Sequence, residues 1–338
     1  MMFGLLIEGE GMRGNVVDLP ECSDHVYCTA VSPDGLFLAA VLGDGSLLLL
    51  NPKTFNVLYR VAAGKSYDDV PSTSVRWLSP RNEELYSLVS VSSAGGVFIW
   101  TWDGETLERI VRVHENENDI TCLAVSNDGN AFITAGSDRL VRYYDADGTL
   151  KATMSRGYDA DGVPRVTHTN RIFSAHFVTP TMAVTGGWGT PIQVWDMRDQ
   201  ESRVQLCGTQ IAADGIEPIP ATTCVIVTSK RGEQQLQVFD CISGNEIEED
   251  SNRISSIVLE STPIISRYCK KTGLLWTITS KPFMICVKSF ISGEMVASCA
   301  SPFHLMNIEL SDHFPFQAFV SCGNGKIILA KVKGELHE

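Results

Sequence analysis

The chain is written in short apolar runs separated by turn-forming residues. Val26 to Val31 ends at Ser32-Pro33-Asp34-Gly35, and Leu36 to Leu42 is followed by the turn Gly43-Asp44-Gly45. Ser46 to Leu50 then leads through Asn51-Pro52-Lys53-Thr54 to Val57 to Val61. Runs of this kind, rich in β-branched and apolar residues and bounded by Gly, Asp, Asn and Pro, read as strands joined by tight hairpins. No long apolar pattern of helical period occurs with caps, so almost no helix is expected.

The same passage recurs along the chain. Its clearest copy is Thr185-Gly186-Gly187-Trp188-Gly189-Thr190-Pro191-Ile192-Gln193-Val194-Trp195-Asp196, a strand end, a Gly-rich turn and a short strand. The equivalents of Asp196 are Asn51, Thr101, Asp145, Asp240, Ser289 and Lys331, at intervals of 50, 44, 51, 44, 49 and 42 residues. These intervals are close to the roughly 40–45 residues of a four-stranded propeller blade with loop insertions. In the seventh copy only six residues follow Val332, too few for an outer strand. An unpaired edge invites aggregation, so a partner strand is expected from elsewhere in the chain. Val16 to Leu19 is the candidate, with Phe3 to Ile7 as the alternative.

One intact Trp-Asp pair, Trp195-Asp196, stands in register, and Tyr144-Asp145 and Phe239-Asp240 are conservative variants of it. With these residues and the repeat length, nearly the whole chain resembles the WD-repeat family. The resemblance implies an all-β fold: a seven-bladed β-propeller of four-stranded antiparallel blades, its ring closed by an N-terminal strand. A single domain over 1–338 is expected, with 1–24 carrying the closing strand, seven blades across 25–333 and a tail at 334–338. In the family a blade's Trp, a Ser/Thr, a turn Asp and a His before the first strand form a side-chain network. Asp44 and Asp138 meet the turn position, while Ala94, Gly189, Glu233, Pro282 and Asn324 stand there in the other repeats. His168 sits at the expected place before Ile172, His114 near it in the third repeat, and Cys22 in the corresponding slot of the first. With so few networks complete, apolar packing between sheets should carry most of the stability.

Composition narrows the setting. A net charge of −13 argues against general nucleic-acid binding, which needs a surplus of Lys and Arg to neutralise phosphates. The ten cysteines are scattered, mostly inside apolar runs such as Thr223-Cys224-Val225-Ile226-Val227, and Asn-x-Ser/Thr is absent. That is the pattern of reduced thiols in a cytoplasmic or nuclear protein. No apolar run reaches the roughly 20 residues of a membrane span, and Met1 to Glu10 lacks the basic flank of a signal peptide.

Three motifs invite chemistry and each has a plainer reading. Ala63-Gly64-Lys65-Ser66 resembles the end of a phosphate loop, but Tyr59 stands where the first Gly belongs and no helix follows. Tyr-Asp-Ala-Asp-Gly occurs at 144–148 and 158–162, yet Arg156 and Asn170 replace the bidentate acid that a calcium loop requires. Cys22, His25 and Cys28 match no common zinc spacing. Neither cofactor nor metal is expected, and no linear catalytic motif points to an enzyme.

What remains is the propeller face. In the resemblance, partners dock on residues before each first strand and around the inner turns. Here these are His25, Ser72, Asp119, Arg171, Thr262 and His304, with Arg139, Trp188 and Arg231 at the turns. Arg139, Arg171, Trp188 and Arg231 fall on adjacent blades three to five, and Arg and Trp dominate binding hot spots and acidic-motif recognition. The expectation is a non-catalytic scaffold or adaptor, a subunit of a multi-protein complex, receiving an acidic or phosphorylated peptide on this patch. A propeller hydrolase with an axial metal and a substrate adaptor of a ubiquitin ligase are the competing readings.

Overall fold

A computed structural model describes residues 3–19, 22, 24–62, 71–82, 85–159, 161–189, 191–256 and 258–333. The phosphate-loop-like Ala63–Ser66 and the tail at 334–338 lie outside the described residues.

Seven antiparallel sheets stand around one axis. Their innermost strands are Val26–Val31, Ser72–Asn82, Ile120–Val125, Ile172–Thr179, Ile216–Pro218, Thr262–Cys269 and Leu305–Leu310. Each sheet is too small to bury both faces alone, so the core is split into interfaces between neighbouring blades. Cys28, Val41 and Leu49 of blade 1 thus pack with Val75, Trp77 and Leu88 of blade 2. Trp276 of blade 6 shares a cluster with Ile308 and Val320 of blade 7. Trp102, Trp195 and Trp276 are the largest side chains fully withdrawn from water.

The ring is closed by Met12–Asp18, which pairs antiparallel with Lys326–Val332 over the full strand, from Met12 opposite Val332 to Asp18 opposite Lys326. The Leu19 N–H extends the pairing to the Gly325 carbonyl at 2.9 Å. The alternative candidate is also a strand: Phe3–Gly9 folds back on Met12–Asp18 and gives blade 7 a fifth strand.

Two further blades depart from four strands. Blade 4 carries a small hairpin, Gly157–Tyr158 with Pro164–Arg165, added in parallel beside Glu201–Leu206 through Gly157 and Ser202. Arg165 fastens it, donating to Gln193 Oε1 at 2.7 Å, Ser202 Oγ at 3.0 Å and the Tyr158 carbonyl at 2.9 Å. Blade 5 has three strands, and the outer place is taken by the helix α1 (Glu248–Ile254). The edge strand Leu236–Asp240 stays satisfied because serine hydroxyls on and beside α1 replace a strand's carbonyls. The Val238 N–H donates to Ser251 Oγ at 2.8 Å and the Leu236 N–H to Ser255 Oγ at 3.1 Å.

The side-chain networks follow the expected positions with one shift. In blade 4, Trp195 Nε1 donates to Thr185 Oγ1 at 2.7 Å, and His168 Nε2 lies 2.7 Å from the same oxygen. In blade 2, Trp100 Nε1 donates to Ser90 Oγ at 2.9 Å. In blade 3 the buried partner is Glu115 and not its neighbour His114, which is exposed. Glu115 directly follows the strand Leu107–His114, and the chain leaves that strand with His114 outward and Glu115 inward. Glu115 accepts from Asn118, Thr134, Arg142 and Tyr144, at 2.7, 2.5, 3.1 and 2.9 Å.

Burial, with Arg165 nearby, holds the His168 imidazole at about 4, against about 6.5 for a free histidine. The buried neutral ring therefore contributes stability that is complete above pH 6.5 and is lost as the pH falls towards 4. Urea denaturation should show about 2 kcal/mol lost from this group between pH 7 and pH 5. In His168→Gln the unfolding free energy should change less over the same interval.

Candidate functional site

Every inner strand begins at one face of the ring, here the upper face, so seven equivalent positions meet at the axis at each level. At one level the strand register aligns Ala30, Arg76, Ala124, His176, Glu217, Arg267 and Glu309. Each pairs with the equivalent residue of its second strand: Ala39, Val89, Ile133, Val184, Ile226, Trp276 and Phe319. Five ionisable side chains and two alanines thus form a ring across the channel.

Asp214, just ahead of the inner strand of blade 5, is the hub of this ring. It accepts from Ser174 Oγ at 2.6 Å and meets His176 Nε2 at 2.8 Å, while Arg267 NH2 donates to its other oxygen. Arg267 also donates to the carbonyls of Asp214 and Ser266, at 3.2 and 3.0 Å. Its second carboxylate neighbour, Glu217, lies at 3.7 Å. Burial pushes the Asp214 carboxyl up, but the His176 ring and the Arg267 guanidinium outweigh it and hold the group well below the carboxylate range. Across the channel, Arg76 donates to Cys28 Sγ at 2.9 Å and to the Val75 carbonyl at 2.8 Å. Asn307 Nδ2 lies 3.3 Å from the same sulfur.

The ring divides the channel. Above it lies a cavity of about 190 Å³ bounded by Tyr27, Thr73, Thr121, Phe173 and Met306. Below it lies one of about 330 Å³, bounded by the ring residues, Tyr268 and Asp312.

On the upper face the structure pairs some of the expected residues. The Arg171 guanidinium lies 5.9 Å from the centroid of the Trp188 ring, which is 46% exposed. Phe173 touches Trp188 edge-on at 5.5 Å and also lines the upper cavity, so this pair stands at the lip of the channel. His25 and His304 meet edge to face at 6.4 Å across blades 1 and 7. Asp119 is exposed, and its N–H donates to Ser137 Oγ at 2.8 Å, beside the turn that carries Arg139. Arg139 is exposed with φ +69°, and Arg231 is half-buried near Gly208. Among the described residues no ion pair engages Arg139, Arg171 or Arg231. Of the three, only Arg171 is engaged with an aromatic ring among the described residues.

The metal and calcium motifs resolve into local structure. Cys28 is enclosed among the axial donors, while His25 turns to Asp24 at 2.9 Å. Asp145 and Asp159 each spend a carboxylate oxygen on two backbone N–H groups of their own turns. Among the described residues no group of three or more His, Cys, Asp or Glu could hold a metal ion. All ten cysteines are free thiols, seven of them buried.

The axial ring escaped the sequence because its members lie on different blades and form no linear motif. The available signal was an ionisable residue embedded in five of the seven inner strands, as in Val75-Arg76-Trp77, Ser266-Arg267-Tyr268 and Ile308-Glu309-Leu310.

The seven sheets and the closing strand together define a seven-bladed β-propeller. A match to the WD domain, G-beta repeat, family covers residues 16–50 and 105–145, and the second segment runs from the outer part of one blade into the next. Among curated proteins, the chain is similar to the "Ribosome biogenesis protein WDR12 homolog" of Drosophila erecta. It is 22% identical over 179 residues, 51% of this chain and 41% of that protein. The homolog of the same name from Drosophila persimilis is 24% identical over 135 residues, 38% of this chain and 32% of that protein. The chain thus spans less than half the length of these relatives. No helix among the described residues is long and apolar enough to cross a membrane.

Asp214→Asn removes the charge that both His176 and Arg267 share. Leaving Arg267 enclosed with a weakened partner should cost about 3–5 kcal/mol, measured as a lower denaturant midpoint at unchanged m-value.

Proposed function

We propose that this protein is a non-catalytic interaction scaffold whose upper face receives an acidic or phosphorylated segment of a partner protein. The observation that carries this reading is the Arg171–Trp188 pair at the channel lip, with Arg139 and Arg231 at the turns of neighbouring blades and in no ion pair among the described residues. A half-exposed Trp held by a guanidinium is a preordered apolar anchor. Arg forks bind carboxylate and phosphate in a bidentate manner, at about twice the strength of neutral hydrogen bonds. The overall charge of −13 makes such a basic spot locally distinctive and favours a protein partner over nucleic acid.

The names of the similar proteins support a more specific setting. We infer that the scaffold serves as a subunit of a ribosome-assembly complex, in the nucleus or nucleolus. The rigid disc suits this role because binding residues stay ordered before the partner arrives, which lowers the entropic cost of association.

The double variant Trp188→Ala/Arg171→Glu tests the patch. Both side chains are on the surface, so circular dichroism and the melting temperature should stay at wild-type values. Partner recovery from cells, quantified against wild type, should fall at least tenfold, in keeping with the roughly 2 kcal/mol or more of a hot-spot residue. An unchanged partner set with intact folding would rule out this face as the main interface.

A further inference from the structure

Six of the seven inner strands carry the same irregularity near the upper face. In each, the pairing with the second strand skips one residue, and the six are Tyr27, Thr73, Thr121, Phe173, Ile264 and Met306. A bulge of this kind re-aims a side chain and interrupts the ladder, so six at one level of a ring amount to a constructed mouth. Each lies three residues ahead of the axial ring, and in blade 5 that place is held by Asp214, three residues ahead of Glu217. Asp214 and five of the six bulge residues border the upper cavity of about 190 Å³.

The mouth has a polar side and an apolar side. Thr73 and Thr121 stand together on blades 2 and 3, and each gives its hydroxyl proton to the first strand of the next blade. Thr73 Oγ1 donates to the Ile120 carbonyl at 2.7 Å, and Thr121 Oγ1 donates to the Ile172 carbonyl. What the two hydroxyls retain is lone pairs. Arg76, on the strand of Thr73, also borders the cavity and makes both of its hydrogen bonds through NH1, so Nε and NH2 keep N–H groups to give. The opposite arc carries Phe173, Met306 and Tyr27. Phe173 is set edge-on to Trp188 at 5.5 Å, and Tyr27 is stacked on His25 at 6.0 Å.

Charge decides what can enter. One guanidinium, Arg76, and one carboxylate, Asp214, border the cavity. An ion of either sign meets a like charge there, in an enclosed space where repulsion is strong, so an uncharged occupant fits best. Two aromatic rings and a thioether favour a flat ring, through edge and face contacts and through sulfur. The volume agrees, since a cavity of about 150 Å³ already holds benzene. A hydroxyl at the far end of such a ring can accept from Arg76 and donate to a threonine lone pair, the two capacities left open.

We propose that the upper cavity receives the side chain of a tyrosine carried by the partner segment, its ring among Phe173, Met306 and Tyr27 and its hydroxyl at Arg76. This rests on the upper face being the docking face, and it adds the residue that enters the channel beside the acidic anchor. Phe173 joins the two places, touching Trp188 at the lip and lining the cavity below. A phosphate on that hydroxyl brings a charge of about −2 beside Asp214, so the tyrosine enters unmodified and the acidic group stays outside, at Arg171.

Methyl NMR of the full chain, labelled at the methionine ε-carbon, tests this through Met306, whose signal is assigned by its loss in Met306→Leu. N-acetyl-tyrosine amide should shift the Met306 methyl saturably, with nuclear Overhauser contacts from the probe's ring to that methyl. N-acetyl-phenylalanine amide, which lacks the hydroxyl, should bind at least threefold more weakly. The corresponding lysine, glutamate and phosphotyrosine amides should leave the signal in place. In Ala213→Phe, which fills the cavity, affinity for the tyrosine probe should fall at least tenfold while the other methionine signals keep their positions. The inference is overturned if the Met306 methyl ignores the tyrosine probe, if the phenylalanine probe binds as tightly, or if Ala213→Phe folds and binds like wild type. Trp188→Ala/Arg171→Glu changes side chains outside the cavity, so the tyrosine probe should still shift Met306 there. Partner recovery that survives in that double variant sinks the docking face, whereas a silent Met306 in the wild type sinks the tyrosine seat alone.

Discussion

The antiparallel pairing of Met12–Asp18 with Lys326–Val332 is the constraint from which the rest follows. A propeller holds itself together through neighbouring blades, so any gap exposes the apolar faces on both sides. Closing the last gap with a strand from the far end of the chain turns seven marginal interfaces into one cyclic core. Val16, Ile328 and Ala330 lie within that seam and are wholly withdrawn from water or nearly so. Because the ring is closed, the inner strands cannot splay, and their side chains are held at fixed levels across the axis.

That fixed geometry makes the axial ring possible. Five ionisable side chains at one level would repel or desolvate one another in a looser frame. Here two guanidiniums, a histidine and three carboxylates, Asp214 included, are set so that one hub satisfies most of the cations. Ion pairs enclosed in this way are poor sources of net stability, since desolvation offsets the attraction. Their value lies in specificity: Asp214 links blades 4, 5 and 6, and Glu309 links blade 7 to the backbone of blade 1. The aromatic and cationic groups of the upper face stand above this floor, and Phe173 is shared between the two.

The seven-fold repeat was legible because every blade punctuates its strands with turn residues at a near-constant interval. Closure by an N-terminal strand followed from the need to pair the last edge, and both candidate segments turned out to be strands of blade 7. Blade 5 was harder to read. Its inner strand is only Ile216–Pro218, and α1 follows an N-cap residue, Ile247, that offers no side-chain cap, so neither leaves a clear signal. Glu115 was hidden by its neighbour, since residue type pointed to His114 while the chain buries the next position, just past the strand's end. The Arg171–Trp188 contact was anticipated as a region and not as a pair, because spacing along the chain does not say which turn leans over which strand. The axial ring lay out of reach of any local motif: its members meet only after seven blades are superimposed in register.

The hairpin formed by Phe3–Gly9 with Met12–Asp18 has a consequence for how the chain is made. The two halves of the seam are separated by some 300 residues, so during synthesis the closing strand emerges long before its partner. A lone strand with two open edges would be available to any other nascent chain throughout that interval. Folding back on Phe3–Gly9 covers one of those edges by a contact local enough to form in microseconds. The fifth strand of blade 7 acts in this sense as a resident escort: it keeps the latch half-covered, and correctly oriented, until the ring is ready to receive it.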